Sequence, residues 1–539
     1  MMSRTGFPII SAAEAAQLIP HDAMVAFSGF TPAGAAKAVP EAMAAHARRL
    51  HEQGQPYQVR VLTGASTGAS LDCALAEAKA ISWRAPYQSS IALRKQINSG
   101  EVAFVDMHLS HVPRSVLFNL FGRIDYAVVE ATEVTSDGRV YLSTSIGASP
   151  TFLKKADKVI IEINEHHTPR ISDLADIVMP QPPPHGDSVS LSHPLQKIGR
   201  PYAQVDPRKI IGVVKTNRPD ELTTLSNPDA TSQKIAEHVV RFIIEERLAG
   251  RIPKEFLPLQ SGVGNVANAV LHGLGDHPEI PQFLMYSEVF QSAAFQLLKS
   301  DKILGGSTCA LALSPDEMRE FVDGIEDFGP RVVLRPQEIS NNSAIVRQLG
   351  VIALNTALEI DLQGNVNSTH VYGQRMMNGI GGSGDFARNA FLSIFVCPSI
   401  AKGGAISTIV PMSSHVDHSE HSVAVVVTEH GLADLRGLAP NERAEVIIQN
   451  CAHPAYRDYL RRYYRDTGAG HIRHDLGRCF ELHQNLIEHA HMLPGLSIDP
   501  VSVASRSDAC AASDVDGEEN HRDKLRRHPE ACQTVTLSN

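Results

Sequence analysis

No block of five or more basic residues occurs anywhere in the 539-residue chain, whose formal net charge is -10. That balance argues against a nucleic-acid or anionic-membrane surface and for a small-molecule partner. No run approaches the roughly 18 apolar residues of a membrane span. The start, MMSRTGFPIISAAEAAQLIPHD, contains acids and lacks the apolar stretch of a signal peptide, so a cytoplasmic protein is expected. The 7 cysteines, at 73, 309, 397, 451, 479, 510 and 532, form no CxxC pair and no framework spacing, as suits free thiols in a reduced compartment. Neither a GxxxxGK[ST] phosphate loop nor a G-x-S-x-G elbow is present, so nucleoside triphosphatase and serine hydrolase readings lack support.

What is present is an ordinary globular composition, 43% hydrophobic and 20% charged, long enough for two or more domains. Short Val/Ile/Ala-rich runs, AMVAFSGF (23–30), VRVLTG (59–64), YAVVEATEV (126–134), KVIIEIN (158–164) and IIGVVKT (210–216), alternate with Ala-rich helical stretches. That alternation predicts an α/β fold with mainly parallel sheets. After residue 250 the pattern restarts with QFLMYSE, DKILGGST, LGVIALN, LSIFVCP, ISTIVP and VAVVVTE. The expected organisation is one α/β domain over 1–225, a second over 226–505 and a disordered polar tail over 506–539.

The two halves also resemble each other. Residues 26–44 and 259–274 both run strand, Ser-Gly turn, Ala-rich helix; GASPTFLKKADKVIIEIN (147–164) and GGSGDFARNAFLSIFVCP (381–398) share a small-residue turn, a Phe three residues after the Ser, a short helix and a strand. The sum of these weak matches suggests a duplication.

Several stretches invite chemistry. SGVGNVANAV (261–270) puts two glycines between a strand and a helix, where backbone N–H groups can meet an anion, although such turns are commonly structural. GIGGSGDF (379–386) formally matches GxGxxG, but it follows QRMMN and not a strand, and no acidic residue ends a second strand about 20 residues on. A dinucleotide site is rejected there; close backbone approach by a ligand or another loop survives. SSHVDHSEHS (413–422) gathers His415, Asp417, His418, Glu420 and His421, metal-capable types without HExxH or CxxC support, and a polar loop at a strand's carboxyl end is the favoured alternative. In VVVTEHGLADLRGL (425–438), Asp434 and Arg436 are expected to pair, with Glu429 directly after the strand. Asn341 and Asn342 stand where they can cap a helix starting near Ser343, or meet a ligand, or both. FLMYSEVFQ (283–291) ends an apolar strand on Glu288. No basic residue in the stretch neutralises it, so it needs partners or a reaction.

Together, SGVGNVANAV, YSEVFQ, LRPQEISNN, VIALNTALEIDLQGNVNST, MMNGIGGSGDFARNA, ISTIVPMSSHVDHSEH and VTEHGLADLRGLAPNERAEVIIQNCAHPAY resemble the acetyl-CoA hydrolase/transferase family, densely over 255–465. The resemblance implies two tandem CoA-transferase-type α/β domains with the site between them, and a homodimer. It implies Glu288 as nucleophile, with Asn341 and Glu429 nearby and Gly264 and Gly382 supplying backbone donors. Val263, Gly264, Asn265, Val266, Ala267, Asn378, Gly382 and Lys402 are then the expected CoA-binding residues. No tightly bound cofactor is expected; CoA is substrate and covalent intermediate. The expected reaction is CoA transfer between a short acyl-CoA and a carboxylate, in the first place succinyl-CoA and acetate, through an acyl-glutamyl anhydride and a glutamyl-CoA thioester. The alternatives are propionyl-CoA:succinate transfer, acetyl-CoA hydrolysis, and a non-catalytic acyl-CoA-binding protein. The glycine-loop N–H groups are further expected to keep Glu288 ionised.

Overall fold

The computed structural model describes residues 6–184, 186, 188–222, 228–262 and 264–496. The expected tail over 506–539 and Val263 lie outside the described residues.

Strands form where the apolar runs stand. Met24–Phe27, Val59–Leu62, Tyr126–Val134, Lys158–Asn164 and Ile210–Thr216 each bury most of their residues, as strands covered on both faces must. They join a nine-stranded sheet, and a second, eight-stranded sheet runs from Leu259–Ser261 to Gly431–Asp434.

Numbered along the chain by its parallel strands alone, the first sheet has the order 4-3-2-1-5-6-7, from Ala103–Phe104 at one edge to Ile210–Thr216 at the other. The second has the same order, from Val332–Leu334 to Val425–Thr428. The duplication legible at the junctions is therefore a duplication of topology. The matched segments fall at matching places: Ser149–Lys155 and Ser383–Ala387 are the short helices that each lead into a sixth strand. In both sheets the order reverses beside the first strand, and ligands of open α/β sheets collect at the carboxyl ends there.

The halves are stitched together by backbone. Ile146 N donates to the Cys309 carbonyl at 2.9 Å and Leu311 N to the Thr144 carbonyl at 2.9 Å, while Ser145 bridges Ala310 and Gly147 bridges Pro336. Buried Arg335 adds an ion pair to Asp176 and a 2.9 Å hydrogen bond to the Pro194 carbonyl. One continuous apolar cluster accordingly includes residues of both sheets.

The first half also buries charge. Lys37 Nζ lies 2.6 Å from Glu130 and 2.9 Å from Asp220, all three inside, and His167 stands 3.6 Å from both carboxylates. Desolvation works against the ammonium, but the two carboxylates win and raise its pKa. The ammonium is already bonded to Glu130 and Asp220, two of the three side chains that with His167 could hold a metal ion. Removing one member leaves an uncompensated buried charge. Lys37→Ala is expected to destabilise the fold by about 3–5 kcal/mol, measured by chemical denaturation at neutral pH.

No helix among the described residues is long and apolar enough to cross a membrane.

Candidate active site

Glu288 sits in the break between the strands Phe283–Tyr286 and Val289–Gln291. Its backbone is fixed before its side chain is considered: the Glu288 carbonyl accepts from Cys309 N at 2.8 Å, Ala310 N at 3.2 Å and Thr308 Oγ1 at 2.8 Å. Residues 309–311 are the segment held by Thr144 and Ile146 of the other half, so the stitching between halves also sets the position of Glu288.

Asn341 follows the short helix Gln337–Ser340, whose Ile339 carbonyl accepts from the Tyr286 hydroxyl at 2.6 Å. Fully buried, Asn341 directs Nδ2 to Glu288 Oε1 at 2.5 Å. The same Nδ2 lies 3.1 Å from Asp385 Oδ2. The two asparagines expected to cap or bind divide the work: Asn342 Oδ1 caps Ser343–Leu349, accepting from Ala344 N and Ile345 N, and Asn341 serves the carboxylate.

Gly382 closes the site from a third direction. A Cβ there would overlap the Glu288 carboxyl group and the Asn341 amide, while its φ of -94° is ordinary for any residue. Glycine is needed at 382 for room and not for backbone freedom. The loop before it lies on the first half: Ile380 N donates to both Asp106 oxygens at 2.9 and 3.1 Å, and Asn378 Nδ2 donates to the Tyr87 hydroxyl at 3.1 Å. The glycine-dense loop thus makes the close approach expected of it, and what it approaches is Tyr87, Asp106, His108 and Leu109.

Glu288 is partly exposed, yet its pKa is pushed up to about 7, by desolvation first and by the neighbouring Asp385 charge, with the Asn341 hydrogen bond pulling the other way. The hydrogen bond that favours the ionised form comes from the Asn341 side chain, where the sequence points to backbone N–H groups. The donor on its side chain is one amide, and one amide does not offset burial beside a second acid.

The other expected residues lie on further elements of the second half. Gly264 (φ 134°) opens the helix Asn265–Asp276 at the end of the neighbouring strand, with open space where a Cβ would project. Val266 packs against the core and Ala267 is buried. Lys402 (φ 49°) is exposed on a turn; its carbonyl accepts from Ala405 N at 3.3 Å, and its ammonium has no hydrogen-bond or ion-pair partner among the described residues. Glu429 accepts from Ser399 N at 2.8 Å and Ser399 Oγ at 2.5 Å; its strand is separated from that of Glu288 by three others, and the structure does not bring the two carboxylates together. Asp434 and Arg436 pair at 2.7 Å as expected, and Arg436 reaches Glu246 as well.

The 413–422 segment divides among separate partners. His418 is buried, its pKa pushed down to about 4 by desolvation, and its Nε2 meets Ser383 at 3.1 Å. Asp417 holds Ser368 and Thr369, His415 lies 3.2 Å from Asp417, and His421 is exposed. Among the described residues the group of side chains that could hold a metal ion lies elsewhere, at Glu130, His167 and Asp220.

Residues 4–215 match the acetyl-CoA hydrolase/transferase N-terminal domain and residues 317–464 the C-terminal domain. The chain is 57% identical over 484 residues to the propanoyl-CoA:succinate CoA transferase of Escherichia coli (strain K12), covering 90% of this chain and 98% of that one. It is 44% identical to the succinyl-CoA:acetate CoA-transferase of Clostridium kluyveri, covering 89% of each, and 41% identical to the acetyl-CoA hydrolase of Schizosaccharomyces pombe, covering 88% of this chain and 94% of the other. Among solved structures, RipA from Yersinia pestis superposes with a TM-score of 0.65 at 22% identity over 84% of this chain and 96% of that one, a likeness of fold.

Proposed function

We propose that this chain, which belongs to the acetyl-CoA hydrolase/transferase family, moves CoA between a short acyl-CoA and a carboxylate, with succinate as one of the acids and propionate or acetate as the other. The observation that carries the reading is the Glu288 carboxyl group, held at 2.5 Å by Asn341 and covered by a glycine whose Cβ would displace it. The sequence expectation put acetate first; the 57% identity to a propanoyl-CoA:succinate enzyme, against 44% to a succinyl-CoA:acetate enzyme, moves propionate level with it. Succinate is common to both relatives' names.

In the proposed reaction a Glu288 oxygen attacks the thioester carbonyl, the C–S bond breaks and CoA thiolate leaves, giving a mixed anhydride. The thiolate then attacks the glutamyl carbonyl. The first acid departs as its carboxylate, and CoA remains on Glu288 as a thioester. The incoming carboxylate repeats these steps in reverse. A carboxylate with a pKa of about 7 is a stronger nucleophile than an ordinary one while still substantially ionised at neutral pH. Each tetrahedral intermediate carries an oxyanion, and one well-aimed donor is worth roughly 3–4 kcal/mol there. The Gly264 and Gly382 backbone amides remain the proposed donors, with the CoA chain along Asn265–Ala267, Asn378 and Lys402.

Lys402, exposed and without a competing carboxylate, suits a CoA phosphate. Lys402→Ala is expected to raise the KM for acyl-CoA about 5-fold, roughly 1 kcal/mol, with kcat within about 2-fold, read from initial rates. The function is tested by assaying pairs of acyl-CoA donors and carboxylate acceptors. Transfer from propionyl-CoA or acetyl-CoA to succinate, with little CoA release when no acceptor is present, supports the reading. CoA release that ignores added carboxylate would assign a hydrolase instead.

A further inference from the structure

We infer that Asp385 is a positioning residue for the nucleophile: anchored by Ser110 of the other half, it fixes the Asn341 amide so that Nδ2 faces Glu288. The inference rests on Glu288 being the nucleophile.

The geometry is specific. Asp385 is buried, and it accepts from Ser110 N at 3.0 Å, from Ser110 Oγ at 2.6 Å and from Asn341 Nδ2 at 3.1 Å. These three donors fit an ionised carboxylate, which has only acceptors to offer. An asparagine amide can turn end over end, exchanging its donor for its acceptor. Between two carboxylates it cannot: Asp385 on one side and Glu288 on the other both require the NH2 group. The Asn341 Oδ1 atom is left buried without a hydrogen-bond partner, a cost accepted only if the other end is strongly held. Asp385 supplies that hold from outside the reacting atoms.

Its anchor makes the arrangement a property of the closed pair of halves. Ser110 precedes the helix His111–Leu117, and Asp385 lies in the short helix Ser383–Ala387 that follows the glycine loop. The charged and titratable groups around this pair are His108, whose Nδ1 is 4.0 Å from Asp385, His111, which feels the Asp385 charge and packs on His108, Glu288 itself, and Tyr87 and Cys309, both of which feel the Glu288 charge. His108 is also packed so that a Cβ at Gly384 would strike its ring. Asp385 is the anion in this set that raises the Glu288 pKa.

The test is Asp385→Asn, which keeps shape and removes the charge and the demand for a donor. The readout is formation of the CoA adduct on the enzyme, followed by intact-protein mass in single turnovers across pH, beside steady-state rates. At pH values above the acid limb, the adduct is expected to form about 10-fold or more slowly, with the KM for acyl-CoA within about 2-fold. The acid limb, near pH 7 in the parent, is expected to move down by about one pH unit as the like charge is removed. Ser110→Ala, which keeps the backbone donor and loses the 2.6 Å hydroxyl, is expected to slow adduct formation a few-fold without altering KM, and it decides the matter if Asp385→Asn does not fold. A parent-like rate, an unmoved acid limb in a folded Asp385→Asn protein, or a loss confined to KM overturns the role. If the parent forms no adduct on Glu288, the nucleophile reading fails instead, so the two failures are distinguishable.

Discussion

Replacing Glu288 with alanine is expected to reduce CoA transfer by at least ~10⁴-fold, about 5.5 kcal/mol of barrier, with the fold intact. The carboxylate is the group on which both covalent intermediates are built, and nothing in the site substitutes for it. The Asn341 amide carries no nucleophile, and the buried Asp385 is already occupied by Ser110 and Asn341. Stability should hold, because the strand break at 288 is fixed through its backbone carbonyl by Thr308, Cys309 and Ala310, contacts an alanine retains. Removing a carboxyl group that burial already disfavours should even be neutral or slightly stabilising. Initial rates with propionyl-CoA and succinate, together with a thermal melt, check both halves of this expectation. A residual rate within 100-fold of the parent would move the chemistry elsewhere.

Gly382→Ala is expected to be nearly as damaging without touching any functional side chain. Backbone at φ -94° accepts alanine, so strain is not the cause. The added methyl group would occupy the volume of the Glu288 carboxyl group and the Asn341 amide, and one of them must leave its place. A displacement of about 1 Å at reacting groups costs on the order of 100-fold, so kcat should fall ~10²- to 10³-fold. Steady-state kinetics read the loss. A Gly382→Ala protein with parent kinetics would mean that the glycine loop moves away from Glu288 before reaction.

Much of the architecture is legible in the sequence because parallel strands buried on both faces read as unbroken apolar runs: LSIFV is a strand buried over all five of its residues. The duplication is legible for the same reason, since GASPTF and GGSGDF mark equivalent turns into equivalent helices. Glu288 stands out as a charge at the end of such a run. Its surroundings do not. Ser110 meets Asp385 across 275 residues of chain, and no local pattern announces a contact that exists only once two sheets have packed. Asp385 stands inside GGSGDF, yet the motif reads as a loop that approaches backbone, not as one that carries an acid to a second acid. That second acid, with burial, is why the Glu288 pKa rises. Glu429 shows the reverse case, where the resemblance names a residue whose strand is separated from that of Glu288 by three others.

The most direct measurement of the central claim is chemical trapping of the enzyme-bound CoA thioester. The protein is incubated with acyl-CoA, reduced with borohydride, digested and mapped by mass. Reduction confined to Glu288, with activity lost in proportion to modification, is the predicted result. An enzyme that stays unmodified at Glu288 and fully active would contradict it.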